Sequence, residues 1–121
     1  PNYLFCETSG AGGTATFAVD TCTVQFTTLS NFRLDFDLSR IGATIGTLDV
    51  LLDDGSGTFN TLIATYTGPD PSQSQGGVEW TAESIDLTPF LLFSPVGVFR
   101  FEYTGGNGFT GDIALDNVSL N

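Results

Sequence analysis

The carboxylates near the C-terminus are the side chains of this 121-residue chain best placed to do chemistry. Asp112 and Asp116 stand in an otherwise apolar stretch, residues 111–120, which reads GDIALDNVSL. Ile113 and Leu115 share one phase of a strand's two-residue alternation, whereas the apolar residues after Asp116 share the other. This change of phase predicts a β-bulge that directs Asp116 towards a partner, because a buried carboxylate without one is costly. The partner is either a divalent cation such as calcium or, with Asp112 capping a turn, the backbone N–H groups of the bulge.

Catalytic chemistry of the common kinds is excluded by composition. The chain has no histidine and no lysine, which removes Ser-His-Asp and Cys-His mechanisms and lysine bases. A glycosidase-like pair among the 14 acidic residues would have little room for a deep cleft in so small a domain. The glycine-rich residues 105–108 open no helix and are interpreted as a turn. We therefore expect a protein that is not an enzyme.

Cys6 and Cys22 are the only cysteines, and they lack the spacing and the histidines of a zinc site. A disulfide between them is the favoured interpretation, and it would stabilise the fold by about 3 kcal/mol. Two free thiols in a reducing compartment are the alternative.

Trp80 is the only tryptophan, and it follows a polar loop at residues 68–77 that contains two prolines. Because proline cannot donate to a sheet ladder, this loop should run outside the sheets, where it is a candidate binding loop. Trp80 either packs in the core or offers its face to a sugar ring. In the second case its companions would be Tyr66, Tyr103 or Phe109.

All these residues depend on a β framework, since polar and apolar residues alternate repeatedly and helical periodicity is almost absent. Residues 32–38 define a strand with one wet face. The other predicted strands are residues 17–26, which supply one or two, and residues 47–52, 61–67, 83–87 and 96–103. Residues 53–57, with the sequence DDGSG, join two strands as a hairpin-like turn. The pattern predicts a single domain over residues 1–121, an all-β, two-sheet antiparallel β-sandwich.

Three stretches resemble MAM domains, which are extracellular β-sandwich modules. The C-terminal GDIALDNV is similar to the family's closing strand, G-D-I-A-[IL]-D-[DN]-[IV]. Residues 34–38 (LDFDL) resemble a strand of the family, and residues 42–50 (GATIGTLDV) resemble the Gly-rich crossover and the G-x-L-x-V strand that follow it. Residues 76–80 (GGVEW) resemble the family's short Gly-containing segment before a tryptophan. The resemblance covers residues 31–120 and implies a jelly roll of the MAM and concanavalin-like type.

The resemblance also implies a structural calcium ion between the N-terminal segment and the closing strand. The positions that match are Glu7 and Asp116, with Asp112 and Asp20 as helpers.

The net charge of −11 makes nucleic acid, sulfated polysaccharide and anionic lipid poor partners. No apolar run approaches the roughly 18 residues that cross a bilayer, so membrane insertion is not expected. We expect a non-catalytic extracellular or cell-surface module for adhesion or recognition, acting through its loops and sheet edges. Its partner would be a glycan or a protein, which includes a second copy of itself. The alternatives are a carbohydrate-binding module of a secreted enzyme and a self-assembling subunit of a filament or surface layer.

Overall fold

The computed structural model describes residues 16–74, 79–90, 95–106 and 112–121, together with the backbone of one N-terminal strand. The strands are β1 (Leu4–Glu7), β2 (Thr16–Asp20), β3 (Val24–Gln25), β4 (Arg33–Ile41), β5 (Thr47–Asp53), β6 (Thr61–Thr67), β7 (Thr81–Asp86), β8 (Val96–Thr104) and β9 (Asp112–Leu120). Two short 3₁₀ turns lie at Phe26–Thr28 and Thr88–Phe90.

The strands form two antiparallel sheets. The first sheet has the order β1-β9-β4-β7 and the second the order β2-β8-β5-β6, with β3 also pairing with β8. Most consecutive strands change sheet, as β4 to β5 and β8 to β9 do, which is the connectivity of a jelly roll. The predicted two-sheet antiparallel β-sandwich is confirmed.

The core lies between the two sheets and comes from one phase of each strand's alternation. On β4, Leu34, Phe36 and Leu38 are buried while the residues between them are half-buried. On β8 of the opposite sheet, Phe101 is buried, and its ring meets that of Phe36 edge to face at 5.1 Å between centroids. Burial of each such side chain stabilises the fold by about 1.5–3 kcal/mol relative to leaving it exposed to water.

The predicted turn between β5 and β6 is also confirmed. Oδ1 of Asp53 accepts the backbone N–H groups of Gly55 at 2.9 Å and Gly57 at 3.1 Å. Both glycines have positive φ, 102° and 90°, the left-handed region that glycine adopts without strain.

The sandwich has two open edges. In the described part of the chain, β6 and β7 lie at one edge and β1 and β2 at the other, each paired within its sheet on one side. Such strands can pair with strands of another copy, and self-association by this route stays a prediction. Among the described residues, no helix is long and apolar enough to cross a membrane.

Candidate functional site

The predicted β-bulge at Asp116 is confirmed. The register between β4 and β9 shifts between Asp35 and Asp37, and Asn117 adopts a positive φ of 51°. Oδ1 of Asp116 accepts the backbone N–H of Asn117 at 2.7 Å. The carboxylate therefore has a backbone partner, which is the alternative to a metal ion that the sequence left open.

Asn117 should tolerate glycine better than a β-branched residue. We expect Asn117→Val to lower the free energy of unfolding by about 2 kcal/mol, because valine is strained at positive φ. It also loses the 2.7 Å hydrogen bond from Nδ2 of Asn117 to Asp37. Asn117→Gly loses only that bond and should cost less than about 1 kcal/mol. Urea unfolding of both variants tests this, and equal losses would contradict the bulge geometry.

The four predicted metal ligands are not gathered into one site by the described residues. Asp20 lies in the second sheet, where its carboxylate accepts hydrogen bonds from Nε and Nη2 of Arg100 at 2.6 and 2.9 Å. The hydrogen bond from Arg100 lowers the pKa of Asp20. Asp112 lies opposite Glu7 in the first sheet, and the side chain of Glu7 lies outside the described residues. Among the described residues no three His, Cys, Asp or Glu side chains are arranged to hold a metal ion, so calcium binding stays a prediction.

The predicted disulfide is not formed in the structure, in which Cys22 is an exposed free cysteine. Cys6 belongs to β1 of the first sheet, whereas Cys22 follows β2 of the second. The two cysteines therefore belong to segments of different sheets. The sequence could not reveal this, because it does not show which sheet each segment joins.

The predicted aromatic residues divide between core and surface. Tyr103 is a buried core residue, and its hydroxyl accepts the backbone N–H of Gly46 at 3.0 Å, so it is not the exposed companion of Trp80 that the sequence predicted. Tyr66 is half-buried and meets Phe36 edge to face at 6.0 Å. Trp80 keeps 39% of its surface exposed, which excludes the core interpretation. Phe109 lies outside the described residues.

Charged side chains occupy inward positions beside Tyr66. Arg40 continues the phase of Leu34, Phe36 and Leu38 on β4 and therefore points between the sheets. Its guanidinium carbon lies 5.6 Å from the centre of the Tyr66 ring. On β7, Glu83 occupies the position paired with Phe36 and is half-buried.

The predicted binding loop closes over these groups as far as it is described, to residue 74. Asp70 and Gln73 are buried polar residues. Asp70 accepts the N–H and hydroxyl of Ser72 at 2.9 and 2.7 Å and the hydroxyl of Thr81 at 2.8 Å. Gln73 accepts the N–H of Arg40 at 2.9 Å and donates to the carbonyl of Leu38 at 3.0 Å. The loop is thus fastened to the backbone of β4 and to the start of β7.

Arg40 completes this network from the β4 side. Its Nη1 donates to the carbonyl oxygens of Thr67 at 3.3 Å and Gly68 at 2.8 Å, and its Nη2 lies 4.0 Å from Asp70. We call the group at the β6–β7 edge the edge cluster; its members are Arg40, Tyr66, Asp70, Gln73, Thr81 and Glu83.

The environment of the edge cluster sets its protonation. Hydrogen bonds from Ser72 lower the pKa of Asp70, whereas burial raises the pKa of Glu83 against the opposing effect of Arg40. Burial, helped by the charge of Glu83, raises the pKa of Tyr66 to about 12. The partly exposed members of the cluster, Tyr66, Thr81 and Glu83, therefore present a neutral phenol, a hydroxyl and a carboxyl group, which can exchange hydrogen bonds with the hydroxyl groups of a ligand.

The fold is shared with binding domains of known structure. No protein-family model matches the chain, so the resemblance to MAM domains stays a prediction. The K1 cleaved adhesin domain of Lys-gingipain from Porphyromonas gingivalis W83 is similar with a TM-score of 0.68 and 16% identity, over 98% of this chain and 74% of that one. The carbohydrate-binding module CBM27-1 of Caldicellulosiruptor saccharolyticus, solved with mannohexaose, is similar with a TM-score of 0.60 and 15% identity, over 96% and 72%. At these identities the comparisons establish the β-sandwich fold.

Proposed function

We propose that this protein is a non-catalytic extracellular recognition module that binds a neutral glycan at the edge cluster. The observation that carries the proposal is the exposure of Trp80, which directly precedes Thr81 of the cluster and keeps 39% of its surface in solvent. An aromatic face stacks on the C–H face of a sugar ring, while polar side chains beside it exchange hydrogen bonds with the hydroxyl groups.

The charge of the protein supports a neutral ligand. Each of its three arginines already donates within the chain: Arg33 to Ser84, Arg40 to the Gly68 carbonyl and Arg100 to Asp20. The net charge of −11 therefore repels uronate- and sulfate-bearing glycans without a cationic group to offset it.

The similar fold of a carbohydrate-binding module solved with mannohexaose makes manno-oligosaccharides the first ligands to test. The similar adhesin domain supports the alternative, adhesion to a protein partner. The feature expected to distinguish the two was exposure of Trp80 together with tyrosines on a concave face. Trp80 is exposed and Tyr66 is half-buried, whereas Tyr103 is buried, so the support for a glycan comes from Trp80.

Trp80→Ala should weaken binding of a neutral oligosaccharide about tenfold, a loss of about 1.4 kcal/mol, because the stacking face is removed. Titration calorimetry with a panel of neutral oligosaccharides that includes mannohexaose measures this. Phe17→Ala is the matched control, since Phe17 is an aromatic residue 38% exposed on β2, at the opposite edge. The affinity of Phe17→Ala for the oligosaccharide should equal that of the original protein.

Two results would contradict the proposal. The protein could bind no neutral glycan in the panel, or Trp80→Ala and Phe17→Ala could bind equally well while both remain folded by circular dichroism.

A further inference from the structure

The edge of the sandwich opposite the edge cluster contains an open cavity. We propose that this cavity, between β2 and β9, is a second binding site that takes a small uncharged apolar ligand the size of one substituted aromatic ring. The inference is independent of the proposed glycan site, because no edge-cluster residue lines the cavity.

Residues of both sheets enclose the cavity, which has a volume of about 210 Å³. Phe17, Val19 and Phe101 line it from the second sheet, and Ile113 and Leu115 line it from the first. A cavity of about 150 Å³ lined by apolar side chains is known to stay dry and to bind benzene. The volume here therefore accommodates a substituted ring and is small for an oligosaccharide.

The two β2 residues show that the cavity is open to solvent. Phe17 pairs with Tyr103 and Val19 with Phe101, so all four share the inward face of the second sheet. Tyr103 and Phe101 are buried, yet Phe17 and Val19 are 38% and 37% exposed. Inward-facing apolar side chains left in solvent can gain the free energy of burial from a ligand.

The lining also determines the charge of the ligand. Among the described lining residues none has a carboxylate or a guanidinium, and the one polar side chain, that of Tyr103, already accepts the N–H of Gly46 through its hydroxyl. Burying a charged ligand there would incur a desolvation cost that no partner offsets. Toluene should therefore bind and benzoate should not.

The test is a titration of the ¹⁵N-labelled protein with toluene, followed by heteronuclear NMR. We expect amide shifts confined to β2, β8 and β9, a saturable binding curve and no such shifts with benzoate. Val19→Phe fills the cavity from a partly exposed position and should weaken toluene binding at least tenfold. Val118→Phe is the control, because it adds the same volume on β9 at a residue that is 41% exposed and does not line the cavity. The affinity of this variant for toluene should change less than twofold.

Phe17→Trp is the second filling variant, should Val19→Phe fail to fold. The inference is overturned if toluene produces no saturable amide shifts. That result is expected if another part of the chain fills the cavity. It is also overturned if the shifts lie at β6 and β7, or if a folded filling variant binds toluene as well as the original protein does.

Discussion

Replacing Gly46 with alanine should destabilise the protein by about 3 kcal/mol or more, the largest effect we expect from a single methyl group. A Cβ at this position would lie 1.8 Å from the carbonyl oxygen of Thr104 and 2.6–2.7 Å from backbone atoms of Gly105 and Gly106. Backbone atoms cannot rotate away as a side chain does, so the segment before β5 and the end of β8 must separate. The N–H of Gly46 would then move from the hydroxyl of Tyr103, which it reaches at 3.0 Å.

Gly57→Ala separates this clash from the general cost of losing a glycine. Gly57 has a positive φ of 90°, but a Cβ there meets nothing within 4 Å. Its substitution should cost only the strain of the left-handed conformation, about 1–2 kcal/mol. Guanidinium unfolding of both variants measures the difference, and a Gly46→Ala loss no greater than that of Gly57→Ala would rule out the close approach.

Much of the framework could be predicted from local pattern. The alternation in residues 32–38 identified the buried phase of β4, and the change of phase at Asp116 located the bulge with its positive φ at Asn117. These features depend only on neighbours along a strand, so the sequence displays them directly. The β6 prediction agrees with Thr61–Thr67 to the residue for the same reason.

The candidate site was harder to predict because its contacts join distant segments. Gln73 contacts the backbone of Arg40 across 33 positions of sequence and that of Leu38 across 35. One local signal was present in the sequence. Arg40 has the same alternation phase as the buried residues of β4, which indicates that its guanidinium faces the interior. Its partners, however, could be identified only once the fold had brought the loop after β6 onto β4.

Asp70→Ala should lower the free energy of unfolding by about 1–3 kcal/mol, because it removes a buried carboxylate that accepts three hydrogen bonds. The hydroxyl of Thr81 and both donors of Ser72 lose the carboxylate, and Arg40 loses its nearest anion. The ion pair, at 4.0 Å, is the weaker contribution, so we assign most of the loss to the three hydrogen bonds. Asp54→Ala, which removes the same charge from the β5–β6 turn, should cost less than about 0.5 kcal/mol.

The pH dependence of this loss provides the sharper test. Hydrogen bonds from Ser72 lower the pKa of Asp70 in the folded protein, so ionised Asp70 stabilises the fold above its unfolded pKa of about 3.9. That stabilisation should disappear as the pH falls through the lower, folded pKa. The stability difference between the original protein and Asp70→Ala should therefore be full at pH 7 and should shrink below pH 4. A stability difference that is constant from pH 7 to pH 2 would show that the ionised carboxylate of Asp70 does not fasten the loop after β6 to the start of β7.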